Sequence, residues 1–268
     1  LSQQPNEEVP AAIANDLQLT VYSLDAVRAI AAAGGRDHPV HLKVDTGMHR
    51  VGAPAIEAVA IADAIQRSPA TRLAGVFTHL AKADEPDDPF TNQQLAAFDA
   101  ALDLLDAAGH RPPMVHAANS AGLISHPAAR FTMVRAGIAI YGIAPSTELA
   151  AASAALRPAL SLHARVSMVK RLEAGDGVSY GQRHHFLRPA TVATVPIGYA
   201  DGVPRRLFQC GGEVLIGGVR RPIVGVVTMD QLMVDCGDDS VAVGDEVILI
   251  GTQGDQTITA NEWGDKLG

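Results

Sequence analysis

Two patterns of hydrophobic and polar positions divide the chain. Up to about residue 156, short apolar runs alternate with longer stretches whose apolar residues recur every three or four positions. The apolar runs predict strands at 20–23, 40–45, 73–79, 114–119 and 131–137. The periodic stretches predict helices at 24–35, 55–69 and 91–110. Such spacings are typical of buried strands and amphipathic helices, and their alternation indicates a parallel sheet covered by helices.

From about residue 157 the pattern changes. Runs of alternating apolar and polar residues, interrupted by Gly, Asp and Pro, occupy 159–175, 212–227, 232–237 and 245–251. Helical spacing almost disappears, and the pattern is that of strands joined by turns. We therefore predict two domains, residues 1–156 of strand–helix type and residues 157–268 of all-β type.

The first domain fits a partial barrel. About five strand–helix units can be traced in it, whereas a closed (β/α)8 barrel has eight. An open doubly wound sheet is an alternative, although no G-x-G-x-x-G turn follows an early strand. The fold class predicted is thus α/β plus all-β, a partial (β/α)8 TIM-type barrel followed by a C-terminal β domain.

Composition narrows the function. The chain of 268 residues is 47% hydrophobic and 19% charged, with a net charge of −8, which is ordinary for a soluble globular protein and argues against nucleic acid as a partner. No apolar stretch approaches the roughly 20 residues of a membrane span, and no signal peptide is visible, so we predict a cytoplasmic protein. Cys210 and Cys236 are distant from each other, which indicates reduced thiols, and no metal-ligand motif is present.

Polar side chains follow the predicted strands of the first domain. They are Asp45, Thr46, Gly47, Arg50, Thr78, His79, Asn119, Ser120, Arg135 and Gly137. In a barrel, the carboxyl ends of the strands meet at one mouth, where functional groups collect. Each residue alone has a structural alternative: His79 as a hydrogen-bonded core histidine, the two arginines as surface ion-pair partners, and Ser120 as a helix cap. Their joint position favours a site.

Two further features point to a ligand. Ser120 at a helix start and Gly137 after the next strand predict a phosphate cradle, because backbone N–H groups and a helix N-terminus suit a dianion. In the second domain, Tyr199 lies between two glycines in IGYADG, residues 197–202. A tyrosine on such a turn presents its hydroxyl rather than packing it in the core.

Eight motifs in order carry a resemblance that covers about residues 18–268. They are KVDTGMHR, FTHLAKADE, HAANSAG, VRAGIAIYG, PALSLHARV, VSYG, PIGYADGVPR and VGVVTMDQ. In this the chain resembles alanine racemase, a family of fold-type III pyridoxal-phosphate enzymes. The resemblance implies a cofactor-binding (β/α)8 barrel, a C-terminal β domain, pyridoxal 5′-phosphate as cofactor and alanine as substrate. It also implies a head-to-tail homodimer in which each site receives residues from the partner.

Three residues of the chemistry follow from the resemblance. Tyr199 matches the acid/base that acts on the L-alanine face and reaches the neighbouring subunit's cofactor. His79 matches a histidine that contacts this tyrosine and also the arginine matched by Arg135. Arg135 would face the pyridine nitrogen of the cofactor and keep it unprotonated, because arginine stays protonated. Less charge then drains into the ring, which favours racemisation over transamination.

The resemblance also implies residues that bind substrate and cofactor. Arg50 would approach the cofactor's phenolic oxygen and the substrate carboxylate, and the backbone of Met229 would bind that carboxylate from the partner subunit. Ser120 and Asn119, with the backbone of Gly137 and Ile138, would hold the phosphate.

Two more residues match family positions. Lys43 matches a lysine that is carbamylated in some relatives, which would let it accept a hydrogen bond from Arg50. Asp84 would line the entrance channel.

The chain departs from the family pattern at its ends. The family's Schiff-base lysine lies in a V-x-K-A-x-A-Y-G-H-G motif, and none of the four lysines, Lys43, Lys82, Lys170 and Lys266, has that context. A Y-E segment with a phosphate-binding tyrosine is also missing at the other end. We therefore expect a racemase truncated at both ends, and the 268-residue chain alone to be inactive and poorly stable.

Smaller departures concern the entrance. Val226 and Thr228 stand where relatives often carry arginine and cysteine, and His49 where a small or amide residue is commoner. None of these changes removes a catalytic role.

Three functions are weighed on these grounds. The first is interconversion of L- and D-alanine by two-base proton transfer at Cα, supplying D-alanine to peptidoglycan, with a broader amino-acid racemase as its variant. The second is a related fold-type III decarboxylase, against which GYADG and MDQ argue. The third is a non-catalytic remnant that binds cofactor or a protein partner and lacks the Schiff-base lysine.

Overall fold

The computed structural model describes residues 2–268, which divide into two units that meet in sequence between Arg157 and Pro158. The first unit alternates strands and helices. Its strands are β1 Leu19–Val21, β2 His38–Asp45, β3 Ala53–Pro54, β4 Thr71–Phe77 and β5 Met114–His116. They pair in parallel in the order β1-β2-β4-β5, with the short β3 alongside β2. This is the strand–helix architecture that the sequence predicts.

Helices follow the strands of the first unit. They are α1 Val9–Ala14, α2 Leu24–Ala32, α3 Ala55–Arg67, α4 Phe90–Ala107 and α5 Ser120–Ser125. Side-chain caps begin two of them: Ser23 Oγ accepts from the N–H of Ala26, and Asn119 Oδ1 accepts from the N–H of Gly122, so each satisfies an unpaired donor at a helix start. The apolar faces of the helices pack on the sheet, where Val40, Leu42 and Val76 are fully buried.

The prediction of a strand at 131–137 is wrong. Phe131 has a φ of 42°, a left-handed conformation that a strand does not accommodate. Thr132 donates from its backbone to the carbonyl of Val115, and its Oγ1 accepts from the N–H of Val115. Arg135 then donates from its backbone to the carbonyl of Ala118. The segment therefore runs beside β5 as an irregular chain, and it continues into a 3₁₀ helix, Ile138–Tyr141.

The second unit is built on an antiparallel sheet. Its strands are β6 Leu162–Arg165, β7 Met168–Leu172, β8 Gly177–Val178, β9 His184–His185, β10 Ala190–Val195, β11 Glu213–Ile216, β12 Val219–Val224, β13 Leu232–Asp235, β14 Glu246–Gln253 and β15 Gln256–Ile258. The main sheet has the order β15-β14-β11-β12-β13-β10-β7, with β6 beside β14. The pair β8–β9 forms a small separate sheet. Val195, Leu215 and Val234 are among the fully buried residues in the core of the second unit.

A helix closes the second unit, although the sequence pattern predicted none there. This helix, α6, spans Ala260–Leu267, and Thr259 Oγ1 caps it by accepting from the N–H of Glu262. Trp263, the only tryptophan of the chain, is buried on it. Arg220 joins the helix to the sheet through ion pairs with Glu213 and Glu262.

Both cysteines are free thiols, and burial raises the pKa of the Cys236 thiol. Within residues 2–268, no helix combines the length and the apolar character that crossing a membrane would take.

Candidate active site

The carboxyl ends of three adjacent parallel strands carry the polar residues of the first unit. Lys43 lies near the end of β2, Thr78 and His79 follow β4, and His116 ends β5. Because the strands are parallel, these ends lie at one edge of the sheet. Arg135, from the irregular segment after β5, joins them there through the contacts described next.

Arg135 is the centre of this cluster. Its Nη2 donates to the carbonyls of Thr78 and Ala117, at 2.9 and 2.8 Å, and to Nδ1 of His79, at 3.1 Å. Its Nη1 donates to Nδ1 of His116 at 2.7 Å. The Nε–H is buried and has no hydrogen-bond partner. Burial lowers the pKa of Arg135 to about 10, so the guanidinium is still charged at neutral pH.

The two histidines beside Arg135 are neutral. An arginine side chain can only donate hydrogen bonds, so both Nδ1 atoms accept from it and each ring carries its proton on Nε2. Burial, and then the charge of Arg135, lowers the pKa of His116 to about 3 and that of His79 to about 4. Both imidazoles therefore keep one donor, Nε2–H, over the whole neutral range.

A second cation and an aromatic ring lie beside Arg135. Phe77 is buried and stacks on His116, with ring centroids 4.6 Å apart. The charged ends of Arg135 and Lys43 lie 5.3 and 5.6 Å from the same ring centroid, within cation–π range. Burial, and then the charges of Arg50 and Arg135, lowers the pKa of Lys43. Three cations near one another favour an anionic ligand.

A hydroxyl joins the start of α5 to the segment after Arg135. Ser120 is buried, and its Oγ accepts from the N–H groups of Gly137 at 2.8 Å and Ala139 at 3.3 Å. A Cβ placed on Gly137 would meet only this oxygen, at 3.8 Å. Ile138 is 44% exposed. Because the Ser120 oxygen accepts from both N–H groups, its own O–H remains to donate, which suits an anion such as phosphate.

The other residues predicted in the first unit lie around this edge. Arg50 is exposed and acts on Lys43 and His79 through its charge. Asn119 is the cap of α5, and its Nδ2 donates to the carbonyl of Leu80 at 3.3 Å. The backbone carbonyl of Asp84 accepts from Ser146 Oγ at 2.7 Å, and its side chain is half-buried.

In the second unit, Tyr199 and Met229 lie on two turns that pack together. The N–H of Tyr199 donates to the carbonyl of Thr228 at 2.9 Å, and that of Ala200 donates to Met229 at 2.8 Å. A Cβ on Gly198 would come within 2.3 Å of the Thr228 carbonyl oxygen. Only glycine therefore permits this close approach. Tyr199 is 41% exposed and Met229 58%, so both side chains are presented outwards.

A second tyrosine of this unit is presented even more openly. Tyr180 is 66% exposed, and two non-glycine residues around it, Ser179 and Gln182, have φ values of 64° and 45°. Ser179 Oγ fastens the loop by donating to the carbonyl of Val226 at 2.6 Å. Tyr180 lines two surface cavities of about 350 and 540 Å³. Strained backbone of this kind is typical of functional loops.

Comparisons with known proteins agree over both units. The family model for the alanine racemase N-terminal domain matches residues 1–145, and that for the C-terminal domain matches residues 159–268. Alanine racemase from Symbiobacterium thermophilum is 48% identical over 259 residues, covering 95% of this chain and 68% of that protein. The chain belongs to the alanine racemase family. The alanine racemase from Frankia casuarinae is 42% identical, over 98% of this chain and 70% of the relative.

Solved alanine racemases share the fold. The crystal structure from Bacillus anthracis, described with bound L-Ala-P, superposes with a TM-score of 0.91 at 39% identity. The superposition covers 99% of this chain and 69% of the Bacillus anthracis chain. The predicted family and the predicted fold class, an α/β barrel-type domain followed by a β domain, are thus confirmed.

The geometry joins some of the predicted site residues directly. His79 contacts Arg135, and Ser120 contacts the backbone of Gly137. Tyr199 and Met229 lie on two turns that are joined by backbone hydrogen bonds. Their roles in racemisation stay predictions.

Sequence reasoning gave no chemical role to two residues. His116 lies within HAANSAG, and a histidine inside an apolar run gives no sign of its partner until β4 and β5 pair. Tyr180, in VSYG, was predicted near the substrate with Tyr199 and Met229 but with no part in proton transfer. A small residue before it and a glycine after it, Ser179 and Gly181, were the available signal, since both have positive φ.

The residues present fit pyridoxal phosphate, the cofactor that alanine racemases use. The unpartnered Nε–H of Arg135 is a buried donor that lacks an acceptor, and an unprotonated ring nitrogen is such an acceptor. The Ser120 hydroxyl, whose oxygen accepts from Gly137 and Ala139, keeps its own O–H to donate to the phosphate. Arg50 would supply positive charge for the phenolic oxygen.

Proposed function

We propose that this protein is a pyridoxal-phosphate-dependent alanine racemase that interconverts L- and D-alanine and supplies D-alanine to peptidoglycan. The observation that carries the proposal is Arg135, a buried cation held by four neutral acceptors with its Nε–H unpaired. Membership of the alanine racemase family over both units supports the same activity, whereas a decarboxylase or a non-catalytic remnant has no such support.

Arg135 would face the cofactor ring nitrogen, and the cradle formed by Ser120, Gly137 and Ile138 would hold the phosphate with Asn119 shaping the turn. When bound, pyridoxal phosphate supplies an electron sink that acidifies the substrate Cα proton. Arg135 would donate to the ring nitrogen, and it keeps its own proton at neutral pH. It would thereby leave that nitrogen unprotonated, which favours return of the proton to Cα.

Substrate binding and proton transfer would use residues of two subunits. Arg50 would bind the substrate carboxylate, together with the Met229 backbone of the partner subunit in a homodimer with shared sites. A tyrosine of the partner subunit would move the proton on the L-alanine face, and His79 would donate its Nε2–H to the tyrosine oxygen. Lys43, as a carbamate, would orient Arg50, and Asp84 would line the entrance channel.

Two tyrosines qualify for this proton transfer. The sequence predicted Tyr199, and the structure adds Tyr180, which is more exposed and lines two cavities. Tyr180→Phe and Tyr199→Phe keep the ring and remove only the hydroxyl, so each tests one oxygen.

The proton transfer is tested with protein expressed from its full open reading frame, by following exchange of the alanine Cα proton with deuterated water. Removing the working tyrosine should abolish racemisation and exchange from L-alanine, while exchange from D-alanine persists, because the opposite face has its own base. Tyr22→Phe, in a half-buried position after β1, is the control and should exchange both enantiomers normally. Normal exchange in both test variants would overturn the proposed proton transfer.

A further inference from the structure

Arg135 is the inner end of a chain of hydrogen bonds that runs across the sheet. His116 accepts from Arg135 through Nδ1, and its Nε2 lies 2.9 Å from Nδ1 of His41, in the middle of β2. The Nε2 of His41 lies 2.7 Å from Oε1 of Gln18. His41 and His116 are buried, whereas Gln18 is exposed just before β1. The chain therefore links a buried cation to the margin of the sheet through two side chains that play no part in the proposed mechanism.

Every hydrogen bond of this chain has one possible direction. Arginine only donates, so His116 accepts at Nδ1 and carries its proton on Nε2. That proton is donated to Nδ1 of His41, which must then carry its own proton on Nε2. The amide oxygen of Gln18 only accepts, so it receives this last proton. The two ends thus agree on a single arrangement, in which both rings are neutral Nε2–H tautomers.

The neighbouring strand leaves space for this arrangement. Gly75 on β4 lies opposite His41 in the register, and the pairing of β2 with β4 shifts between Val40 and His41. A Cβ on Gly75 would lie 2.4 Å from Nδ1 of His41, the atom that accepts from His116. Glycine inside a strand weakens it and often marks a close approach. Gly75 leaves room for the His41 ring at the place where the chain of hydrogen bonds crosses from β2 to β5.

We propose that Gln18, His41 and His116 form a directional relay that holds both imidazoles in the Nε2–H tautomer and thereby fixes Arg135 against the cofactor ring. Gln18 and His41 are positioning residues, since neither is in contact with Arg135. The proposal rests on the proposed function of Arg135, but the relay itself has a readout that does not depend on activity.

The relay is tested by nitrogen-15 NMR of the histidine rings, assigned with single His-to-Gln variants. The expected spectrum at neutral pH has a pyridine-type Nδ1 and a pyrrole-type Nε2 for both His41 and His116. Gln18→Met removes the terminal acceptor and should shift the Nε2 resonance of His41, whose Nδ1 still accepts from His116, whereas Gln18→Glu keeps an acceptor and should leave that resonance in place. His38, on the same strand with Nε2 bonded to the Leu17 carbonyl, is the control, and its Nε2 resonance should move in neither variant. An Nδ1–H tautomer in the unsubstituted protein, or no response to Gln18→Met, would overturn the relay.

Kinetics separate positioning from mere stability. Gly75→Ala displaces the His41 ring without removing any polar group, and it should lower kcat about tenfold with little change in KM, which is the low end of the effect of residues that orient a ligand-contacting group. His41→Phe should act in the same direction, and Gln18→Glu should restore what Gln18→Met loses. Equal kcat in Gly75→Ala and the unsubstituted protein, with an altered His41 spectrum, would disprove the positioning role while leaving the proposed function intact. Loss of folding in Gly75→Ala would leave the Gln18 pair to decide the question, because Gln18 is exposed: unchanged kcat in Gln18→Met would also disprove positioning.

Discussion

One arginine in each unit is held in a different way. In the second unit, Arg220 pairs with Glu213 and Glu262, and Lys266 pairs with the same two carboxylates. In the first unit, Arg135 is buried among carbonyls and neutral imidazoles, and no carboxylate of the described residues forms an ion pair with it. Charges that satisfy one another stabilise a fold. A cation held by neutral acceptors retains its charge for a ligand, which is how an active site differs from a structural network.

Substituting an arginine in each unit gives the sharpest contrast. Arg135→Gln removes the cation and the Nε–H proposed to meet the cofactor ring, so racemase activity should fall on the order of 100-fold, as for the loss of one preorganised donor. Arg171→Gln, in β7, removes an exposed arginine that pairs with Asp238, and activity should not change. Steady-state rates of both variants, expressed from the full open reading frame, make the test. Comparable losses in the two variants would contradict the contrast.

Acid should unfold the first unit before the second. The pKa of His116 is about 3 in the folded protein and 6.5 in an unfolded chain. The unfolded state therefore binds more protons below pH 6.5, and the protein loses stability as the pH falls. The free energy of unfolding should decrease by about 2 kcal/mol between pH 6.5 and 4.5, which is less than the full pKa shift of His116 corresponds to. Helical circular dichroism reports mainly the first unit, which holds α1 to α5, while Trp263 emission reports the second.

Glu262 sets the acid limit of the second unit. Hydrogen bonds from Arg220 and Lys266 lower the pKa of this carboxyl to about 2 from 4.5. Its contribution is therefore complete above pH 4.5 and is lost as the pH falls toward 2. Trp263 emission that collapses together with the circular dichroism near pH 6 would contradict this separation, and His116→Gln should flatten the first transition only.

The smallest effect expected is that of Glu262→Gln at neutral pH. The amide still accepts from Arg220 but loses the charge, and the side chain is a quarter exposed, so the free energy of unfolding should drop by about 1 kcal/mol. Urea titration followed by Trp263 emission measures it. Glu246→Gln is the matched control, because its partner His163 forms an exposed pair. A drop as large in the control would show that the network around Arg220 contributes nothing special.

Sequence patterns predicted the parts of this molecule that depend on local periodicity. The helices and four of the five strands predicted in the first unit come from spacings of apolar residues, which report burial directly. The segment 131–137 has the same alternation but lacks a strand geometry, because Phe131 adopts a left-handed conformation that no periodicity encodes. Helix α6 was missed for the opposite reason: it is short and polar, yet Thr259 and Glu262 form a capping signal that could have been recognised.

The candidate site also has some features that the sequence predicts and others that it does not. Strand ends alone predicted that His79 and Ser120 lie at one edge of the sheet, because parallel topology places them there. His41 and His116 could not be connected from sequence, because their contact joins residues on β2 and β5 that only the completed sheet brings together. Tyr180 and Tyr199 show the remaining limit, since motif matching gave the acid/base role to Tyr199 alone and could not report that Tyr180 is the more exposed tyrosine.

The fit between the turns of Tyr199 and Met229 has a consequence for protein design. Gly198 has no room for a side chain against the Thr228 carbonyl, and two backbone hydrogen bonds join the segments. A side chain at position 198 would push the two turns apart, so this one glycine fixes where both backbones lie. A designer who wants a different substrate can vary the outward side chain of Met229, whose proposed role uses only its backbone, provided that Gly198 and Tyr199 are never among the randomised positions.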